Sequence, residues 1–231
     1  MSMPFYVPPE QLVKDRAEYA RKGIARGRSI VAVEYLDGVL LLAENPSRTL
    51  YKISEIYDRI AFAGVGKYNE FEALRVAGIR HADLKGYLYG RPDVAARGLA
   101  NAFSQTLGNI FTHEIKPYEV EILVAEVGIN GESNRLFKVT YDGTLYDEIG
   151  FCAIGGQADI LTSTLAELYK KPDSLNGTMQ MVAAAFAQVE NRQIDGWEAA
   201  VLDGRGERRT FRRLTQEEIS AALGEAKTES A

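Results

Sequence analysis

Apolar and polar positions divide the chain into alternating helices and strands, beginning with one amphipathic helix. Pro8-Pro9 suit the first turn of a helix, where a missing amide leaves nothing unsatisfied. Gly27 is a suitable left-handed cap at the other end. The apolar positions between them follow the four-three-four spacing of one helical face: Val13, Ala17, Ala20 and Ile24. We therefore predict a helix over 9–27.

Two strand pairs are predicted directly after this helix. Near-continuous apolar runs at 30–33 and 39–43 flank Asp37-Gly38, a strong hairpin signal. A second pair follows at 52–57 and 59–63. Gly64 is assigned to a tight turn from strand to helix. Strands that are apolar on both faces belong inside a layered structure.

The rest of the chain repeats this alternation. Helical periodicity is found at 67–86, 94–111, 158–169 and 174–189. Strand patterns are found at 118–127, 136–141, 145–154, 198–202 and 210–214. A capping box at Thr215 and Glu218 opens a last helix, and the polar end, 225–231, is expected to be a flexible tail. Strand pairs between helix pairs predict one α+β domain, 1–231, in which two antiparallel sheets are covered by helices on their outer faces.

Composition narrows the partners and the compartment. The 231 residues are 46% hydrophobic, enough for one extended core, and no proline- or serine-rich linker divides them. The net charge of -5 gives no electrostatic reason to expect a nucleic-acid partner. No apolar run reaches the roughly 18 residues of a membrane span, and the first residues show no secretory signal. We expect a cytoplasmic protein that binds neither nucleic acid nor membrane.

Few residues suit the usual kinds of catalytic or metal chemistry. Cys152 lies in an apolar stretch and is interpreted as a buried small hydrophobe. His81 and His113 are the only histidines, so we expect neither a zinc site nor a histidine-based triad, and no cofactor. Gly64-Val65-Gly66-Lys67 looks like part of a phosphate loop. The full motif needs a longer glycine loop and a Ser or Thr after the lysine, where Tyr68 stands, so nucleotide binding is not predicted.

Several motifs, in order along the chain, carry a resemblance to a known family. They are Glu18-Tyr19-Ala20 with the basic, glycine-ended stretch after it, the runs 38–45 and 52–59, Ala63-Gly64, and Tyr141-Asp142-Gly143-Thr144. Over residues 9–223 the chain resembles the α-type subunits of the proteasome, and looks closest to those of actinobacteria. The resemblance implies the four-layer α-β-β-α sandwich of the N-terminal-nucleophile hydrolases.

The resemblance also implies a function. Proteasome α-type subunits form seven-membered outer rings that cap rings of β subunits, gate the access of substrates and dock a ring ATPase of the AAA+ class. The implied partners are therefore other α subunits, β subunits, that ATPase and unfolded protein substrates, which in actinobacteria carry a small ubiquitin-like tag. Peptide cleavage resides in the β partner, so the chain is expected to be a non-catalytic component of the endopeptidase.

The start of the first predicted strand indicates why the chain would not cut peptides. Active β-type subunits need an N-terminal threonine whose own amine serves as base, helped by a lysine and an acid. Setting 30–33 on their first strand puts Arg28-Ser29 in the place of that nucleophile, behind a helix, so no catalytic residue is predicted. Glu44 and Lys52 fall near the positions of the supporting acid and lysine. The alternatives are a self-processing N-terminal-nucleophile amidohydrolase that exposes Ser29 by cleavage, and a free-standing binding module.

Two binding features are implied by the resemblance. Lys52 matches the lysine that receives the terminal carboxylate of an activator's tail between neighbouring α subunits, with Glu18 as the acid beside that pocket and Gly64 as its close-packed wall. The segment 1–8 matches the gate, although it lacks the tyrosine-aspartate-arginine cluster of archaeal and eukaryotic subunits. The gate residues are Met1, Ser2, Met3, Pro4, Phe5, Tyr6 and Val7.

Overall fold

The computed structural model describes residues 8–47, 49–129, 131–190, 192, 194–205 and 209–224. In this range the helices are α1 (Pro9–Ile24), α2 (Tyr68–Leu88), α3 (Ala96–His113), α4 (Ala158–Leu168), α5 (Leu175–Val189) and α6 (Gln216–Leu223), with a short 3-10 helix at Arg91–Asp93. The strands are β1 (Ile30–Tyr35), β2 (Gly38–Glu44), β3 (Ile53–Tyr57), β4 (Ile60–Gly66), β5 (Val120–Glu126), β6 (Arg135–Val139), β7 (Leu145–Glu148), β8 (Phe151–Ile154), β9 (Trp197–Asp203) and β10 (Phe211–Arg213).

The strands form two five-stranded sheets. The first has the order β10-β9-β2-β1-β8 and the second the order β3-β4-β5-β6-β7, and every neighbouring pair in both sheets is antiparallel. The predicted hairpin joins β1 to β2, but its two turn residues are Leu36 and Asp37, since Gly38 already pairs with Tyr35 as the first residue of β2. The register pairs Ala32 with Leu41. On its other side, Leu41 lies opposite Ala200 of β9. Among the described elements, strands that follow one another directly in the chain thus form two of the four pairs of the first sheet and three of the four pairs of the second, and the other pairs join more distant segments.

Three apolar clusters define the layers. Between the sheets lie fully buried residues such as Ala32, Leu41 and Leu123. On the outer face of the first sheet, α4, α5 and α6 pack with Leu161, Phe186 and their neighbours. On the outer face of the second sheet, the cluster is formed mainly by α2, α3 and the strand residues beneath them. The predicted α+β fold, a four-layer α-β-β-α sandwich, is confirmed.

Three other local predictions are wrong. The single strand predicted at 145–154 is two strands in different sheets, because the chain turns at Gly150 (φ 81°) between β7, which pairs with β6, and β8, which pairs with β1. The first helix ends at Ile24 with Ala25 as its C-cap, and Gly27 is not a left-handed cap. Gly64 lies inside β4, and the turn towards α2 is made at Gly66 (φ 108°).

Two predicted segments lie outside the described residues. They are the gate residues 1–7 and the tail 225–231, so both remain predictions. None of the helices in the described part of the chain is long and apolar enough to cross a membrane.

Candidate functional site

The motif Glu18-Tyr19-Ala20 divides its three side chains between three tasks on α1. Ala20 is fully buried and packs with Ile24 and Tyr141. Tyr19 is half-exposed, and the Nζ of Lys116 lies 5.3 Å from the centre of its ring, within the range of a cation–π contact. Glu18 faces solvent and forms an ion pair with Lys22, one turn further along the helix, at 2.7 Å. The motif therefore fixes α1 on the second sheet and leaves one carboxylate exposed.

Arg16 attaches the same helix to the end of α3. Its Nη1 donates to the carbonyl oxygens of Phe111 at 2.7 Å and Thr112 at 3.0 Å. The last carbonyls of a helix have no partner within the helix, so a cation placed there satisfies them and complements the helix dipole. This contact holds α1 across the end of the sandwich.

Glycines let the linker between α1 and β1 pass close to neighbouring backbone. A Cβ on Gly27 would lie 2.3 Å from Cγ1 of Val65, and one on Gly156 would lie 2.4 Å from the carbonyl oxygen of Ala25. The amide of Gly156 donates to the carbonyl of Gly27 at 3.1 Å. The linker is thus held in one path, which places Arg28 and Ser29 at the start of β1.

Lys52, just before β3, points its ammonium towards this linker. Its Nζ donates to the carbonyl oxygens of Arg28 and Glu44, both at 3.1 Å. Burial lowers the pKa of Lys52 to about 8, against the opposing charges of Glu198 and Glu44 and with a further lowering by Arg28. Desolvation disfavours the charged form of a lysine, and both hydrogen-bond acceptors in the described part of the chain are neutral carbonyls.

The carboxylate of Glu44 forms ion pairs beside that lysine. It is fully buried and is paired with Arg28 and, at 2.6 Å, with Arg192. Arg28 also lies 3.3 Å from Asp195. Burial opposes ionisation of Glu44, but the hydrogen bonds from Arg192 and the amide of Asp195, with the charge of Arg28, lower its pKa overall. We call Arg28, Glu44, Lys52, Arg192 and Asp195 the Lys52 cluster.

Ser29 does not have the setting of a nucleophile. It is 1% exposed, and its Oγ accepts a hydrogen bond from the amide of Gln157 at 3.1 Å. Its own amine is part of the peptide chain that arrives from α1. A hydroxyl nucleophile needs a base within hydrogen-bond reach and room for a substrate.

Cys152 and Gly64 behave as core residues. Cys152 is a free, buried thiol, and burial raises its pKa to about 12, so the interpretation as a small hydrophobe is confirmed. A Cβ on Gly64 would lie 2.8 Å from the ring of Phe71, so the glycine lets α2 pack directly on β4. Lys67, in the run that looks like part of a phosphate loop, lies 3.8 Å from Glu70.

The structure brings together two of the three predicted pocket residues. The amide of Gly64, in β4, donates to the carbonyl of Lys52, just before β3, at 3.1 Å, so these two lie side by side. Glu18 pairs with Lys22 on its own helix. A pocket that combines Glu18 with Lys52 therefore requires more than the contacts within one chain.

Sequence reasoning missed three charged residues around Lys52. Arg192 and Asp195 lie in the segment before β9, where no periodic pattern marks them. Glu198 is buried in β9, and its carboxylate accepts hydrogen bonds from the amides of Lys52 and Ile53. One signal for Glu198 was available in the sequence: it is the single charged residue of the otherwise apolar run 197–202.

The fold and this cluster define a class of protein. It is a four-layer sandwich with an acid and a lysine near the start of its first strand, as in the N-terminal-nucleophile hydrolases, but with Arg28-Ser29 behind a helix. A family model described as "Proteasome subunit" matches residues 24–202.

Curated relatives give the type of subunit. The chain is 56% identical over 226 residues to "Proteasome subunit alpha" of Acidimicrobium ferrooxidans, covering 97% of this chain and 97% of that protein. It is 55% identical to the protein of the same description from Thermomonospora curvata, covering 97% and 99%. The corresponding protein of Kineococcus radiotolerans is 54% identical, with 96% and 98% covered. The chain therefore belongs to the proteasome subunit family, in its α type, as the sequence motifs predicted.

Proposed function

We propose that the chain is the non-catalytic gating and docking subunit of a proteasome core. Seven copies form an outer ring on a ring of β subunits, and a ring ATPase docks on the outer face to deliver unfolded, tagged proteins. Threonine-type cleavage takes place in the β partner, in the cytoplasm. Residues 1–7 converge at the ring axis and restrict access to the chamber.

One observation carries the docking part of this proposal: the hydrogen bonds that the Lys52 ammonium makes within the chain. An ammonium has three N–H donors, and two of them are used by the carbonyls of Arg28 and Glu44. No residue that the structure describes takes the third, which can therefore donate to a terminal carboxylate, a ligand well suited to a partly desolvated cation. Gly64 lies beside it, and Glu18 of a neighbouring subunit's helix flanks the tail.

The self-processing alternative has no support in the geometry. Ser29 is buried and its hydroxyl is engaged by Gln157. Cleavage before Ser29 would release α1, which buries Ala20 and Ile24 against Tyr141. Such a cut would remove the element that carries the motif of the family.

The gate is tested by deleting residues 1–7 in the core assembled with its β partner. Phe5, Tyr6 and Val7 are apolar, and we expect their removal to raise the hydrolysis of short peptides because substrates reach the chamber faster. The measurement is the initial rate at a fixed concentration of assembled core, verified by native mass spectrometry. An unchanged rate in a normally assembled core would show that this segment is not the gate.

The docking site is tested by Lys52→Ala. We expect the affinity for a tail with a free terminal carboxylate to fall by roughly 1.5 to 3 kcal/mol, the contribution of a hydrogen bond to a charged group, or about 10- to 150-fold per tail. The measurement is fluorescence polarisation of a labelled peptide with the C-terminal sequence of the ring ATPase. The same peptide with a C-terminal amide is measured in parallel.

The amide peptide turns the experiment into a double-mutant cycle. The intact core should prefer the acid to the amide, and Lys52→Ala should abolish that preference. Lys171→Ala is the matched control, because this exposed lysine lines a groove with Glu34 and Leu36, beyond the opposite end of β1. An acid-to-amide preference that survives in Lys52→Ala would show that the carboxylate binds elsewhere.

A further inference from the structure

Glu198 connects the two sheets at the point where Lys52 enters β3. Its Oε2 accepts from the amide of Lys52 at 2.9 Å, and its Oε1 accepts from the amide of Ile53 at 3.0 Å. β9 is in the first sheet and β3 is the edge strand of the second. The carboxylate therefore accepts hydrogen bonds from two backbone amides at an edge of the second sheet, where the described residues provide no further strand to accept them.

Two further groups hold this carboxylate in place. The side-chain amide of Asn45 donates to Oε2 at 2.7 Å, and Arg213 donates to Oε1 at 2.6 Å. The guanidinium of Arg213 also donates to the carbonyl of Ile53 at 2.5 Å and lies 4.0 Å from the centre of the Tyr51 ring. Glu198 is 6% exposed, so its four hydrogen bonds form a largely dry, fully engaged network.

The network fixes the backbone from which the Lys52 side chain projects. The Lys52 amide is bound on one side by Glu198, and its carbonyl is bound on the other by the amide of Gly64. A lysine side chain has four rotatable bonds, so its ammonium keeps a single place only when both the backbone and the bonds to the carbonyls of Arg28 and Glu44 are held. Glu198 also adds a negative charge to this neighbourhood without forming an ion pair with the ammonium.

We infer that Glu198 is a positioning residue of the docking site, which holds the Lys52 backbone and places a negative charge near the Lys52 ammonium that receives a carboxylate-ended tail. The inference rests on the proposed docking function of Lys52. It adds that the site is built by an acid that never touches the tail. The three charges that face the ammonium are Glu198 from β9, Glu44 from β2 and Arg28 from the linker.

The electrostatic part of this role can be separated from a purely structural one by pH. Among these charges Glu198 is the largest that raises the pKa of Lys52, which stands at about 8. Tail binding needs the charged lysine, so affinity is full below this pKa and is lost as the pH rises through it. Removing the Glu198 charge lowers the pKa of Lys52 and moves the midpoint of this loss to lower pH. In alkaline solution, a midpoint that lies one pH unit lower reduces the affinity by up to about 10-fold.

The test uses Glu198→Gln in the assembled core, with the acid and amide forms of the ATPase tail peptide, from about pH 6.5 to about pH 9.5, a range that brackets the titration of such a lysine. We expect weaker binding of the acid peptide and a midpoint at lower pH than in the unmodified core. Glu55→Gln is the matched control, since Glu55 lies on β3, the strand that Lys52 precedes, but pairs with Arg209 at 2.5 Å. Its midpoint should stay in place.

Two outcomes for Glu198→Gln overturn the inference. One is an unmoved midpoint, and the other is an equal loss of affinity for acid and amide peptides at every pH, which marks a structural role alone. Glu198→Asp keeps the charge and covers the case in which the glutamine variant fails to assemble. Its midpoint should stay near that of the unmodified core while its affinity for the acid peptide falls, and unchanged affinity would contradict the positioning role. Loss of the acid preference in Lys52→Ala, measured separately, decides the docking function itself.

Discussion

The core between the two sheets and the Lys52 cluster at their end are built on different principles. The core is assembled from alternating strand positions that are apolar and fully buried, such as Ala32 and Leu41 of the first sheet and Leu123 of the second. Its specification is repeated in every strand, because a two-residue period places the same face inward each time. Any one position is therefore supported by many others.

The Lys52 cluster has no such repetition. Arg28 comes from the linker after α1, Glu44 from the end of β2, Lys52 from the start of β3, and Arg192 with Asp195 from the segment before β9. Its contacts are ion pairs and hydrogen bonds between these separate segments. The comparison teaches that the repeated core positions let the fold tolerate single substitutions. The cluster, in contrast, depends on one arrangement of charges at one place.

The largest expected effect is on the core. Leu41→Ala removes a fully buried side chain between the sheets, and we expect the free energy of unfolding to fall by about 2 to 5 kcal/mol. Urea unfolding at fixed protein concentration measures it, since assembly adds to apparent stability. The acid preference of tail binding should be unchanged in the fraction that remains folded.

Leu36→Ala is the matched control for this change. Leu36 is 66% exposed beside the β1–β2 turn, so its loss should alter unfolding by less than about 0.5 kcal/mol. If Leu41→Ala instead abolishes the acid preference as Lys52→Ala does, then the core and the docking site are not separable and the comparison fails.

Much of the fold can be predicted from the sequence because the signals for it, like the apolar positions of the core, are repeated along the chain. The capping box at Thr215 has the predicted form, and the first hairpin forms as predicted with its two turn residues one position earlier, at Leu36-Asp37, because turn chemistry and strand period are local signals. The strand pattern at 145–154 is misleading, since it joins two strands, Leu145–Glu148 with two acidic residues at its end and the apolar Phe151–Ile154. Only the positive φ of Gly150 separates them, and it directs them to different sheets.

The site is less predictable because its contacts join distant segments. Lys52 is identified through the family resemblance, and its pattern alone suits an exposed strand lysine. Arg192 lies 148 residues from Glu44, the acid it pairs with, and Glu198 lies 146 residues from Lys52. Single charged residues in loops or strand ends have no period, so nothing in the sequence links such pairs.

The smallest expected effect comes from Glu44→Gln, which keeps the shape of a cluster residue and removes its charge. Arg28 and Arg192 would lose their shared carboxylate but both are partly exposed, with side chains 33% and 42% accessible. Water then solvates the guanidinium groups, and we expect a loss of about 1 to 3 kcal/mol in the free energy of unfolding at neutral pH. The Lys52 ammonium should keep its bond, because it donates to the backbone carbonyl of Glu44 and not to the carboxylate.

The pH dependence of that loss identifies its source. The pKa of Glu44 is below its usual value of 4.5 in the folded chain, so its ionised form contributes stability above that value and the contribution disappears as the pH falls through the lowered pKa. Unfolding of the intact chain and of Glu44→Gln should therefore differ at neutral pH and converge in acid. For tail binding, the midpoint in pH should move less than in Glu198→Gln, because Glu198 raises the pKa of Lys52 more than Glu44 does. A larger displacement in Glu44→Gln would make Glu44 the acid that keeps Lys52 charged, and the cluster would then depend on the acid at the end of β2 and not on β9.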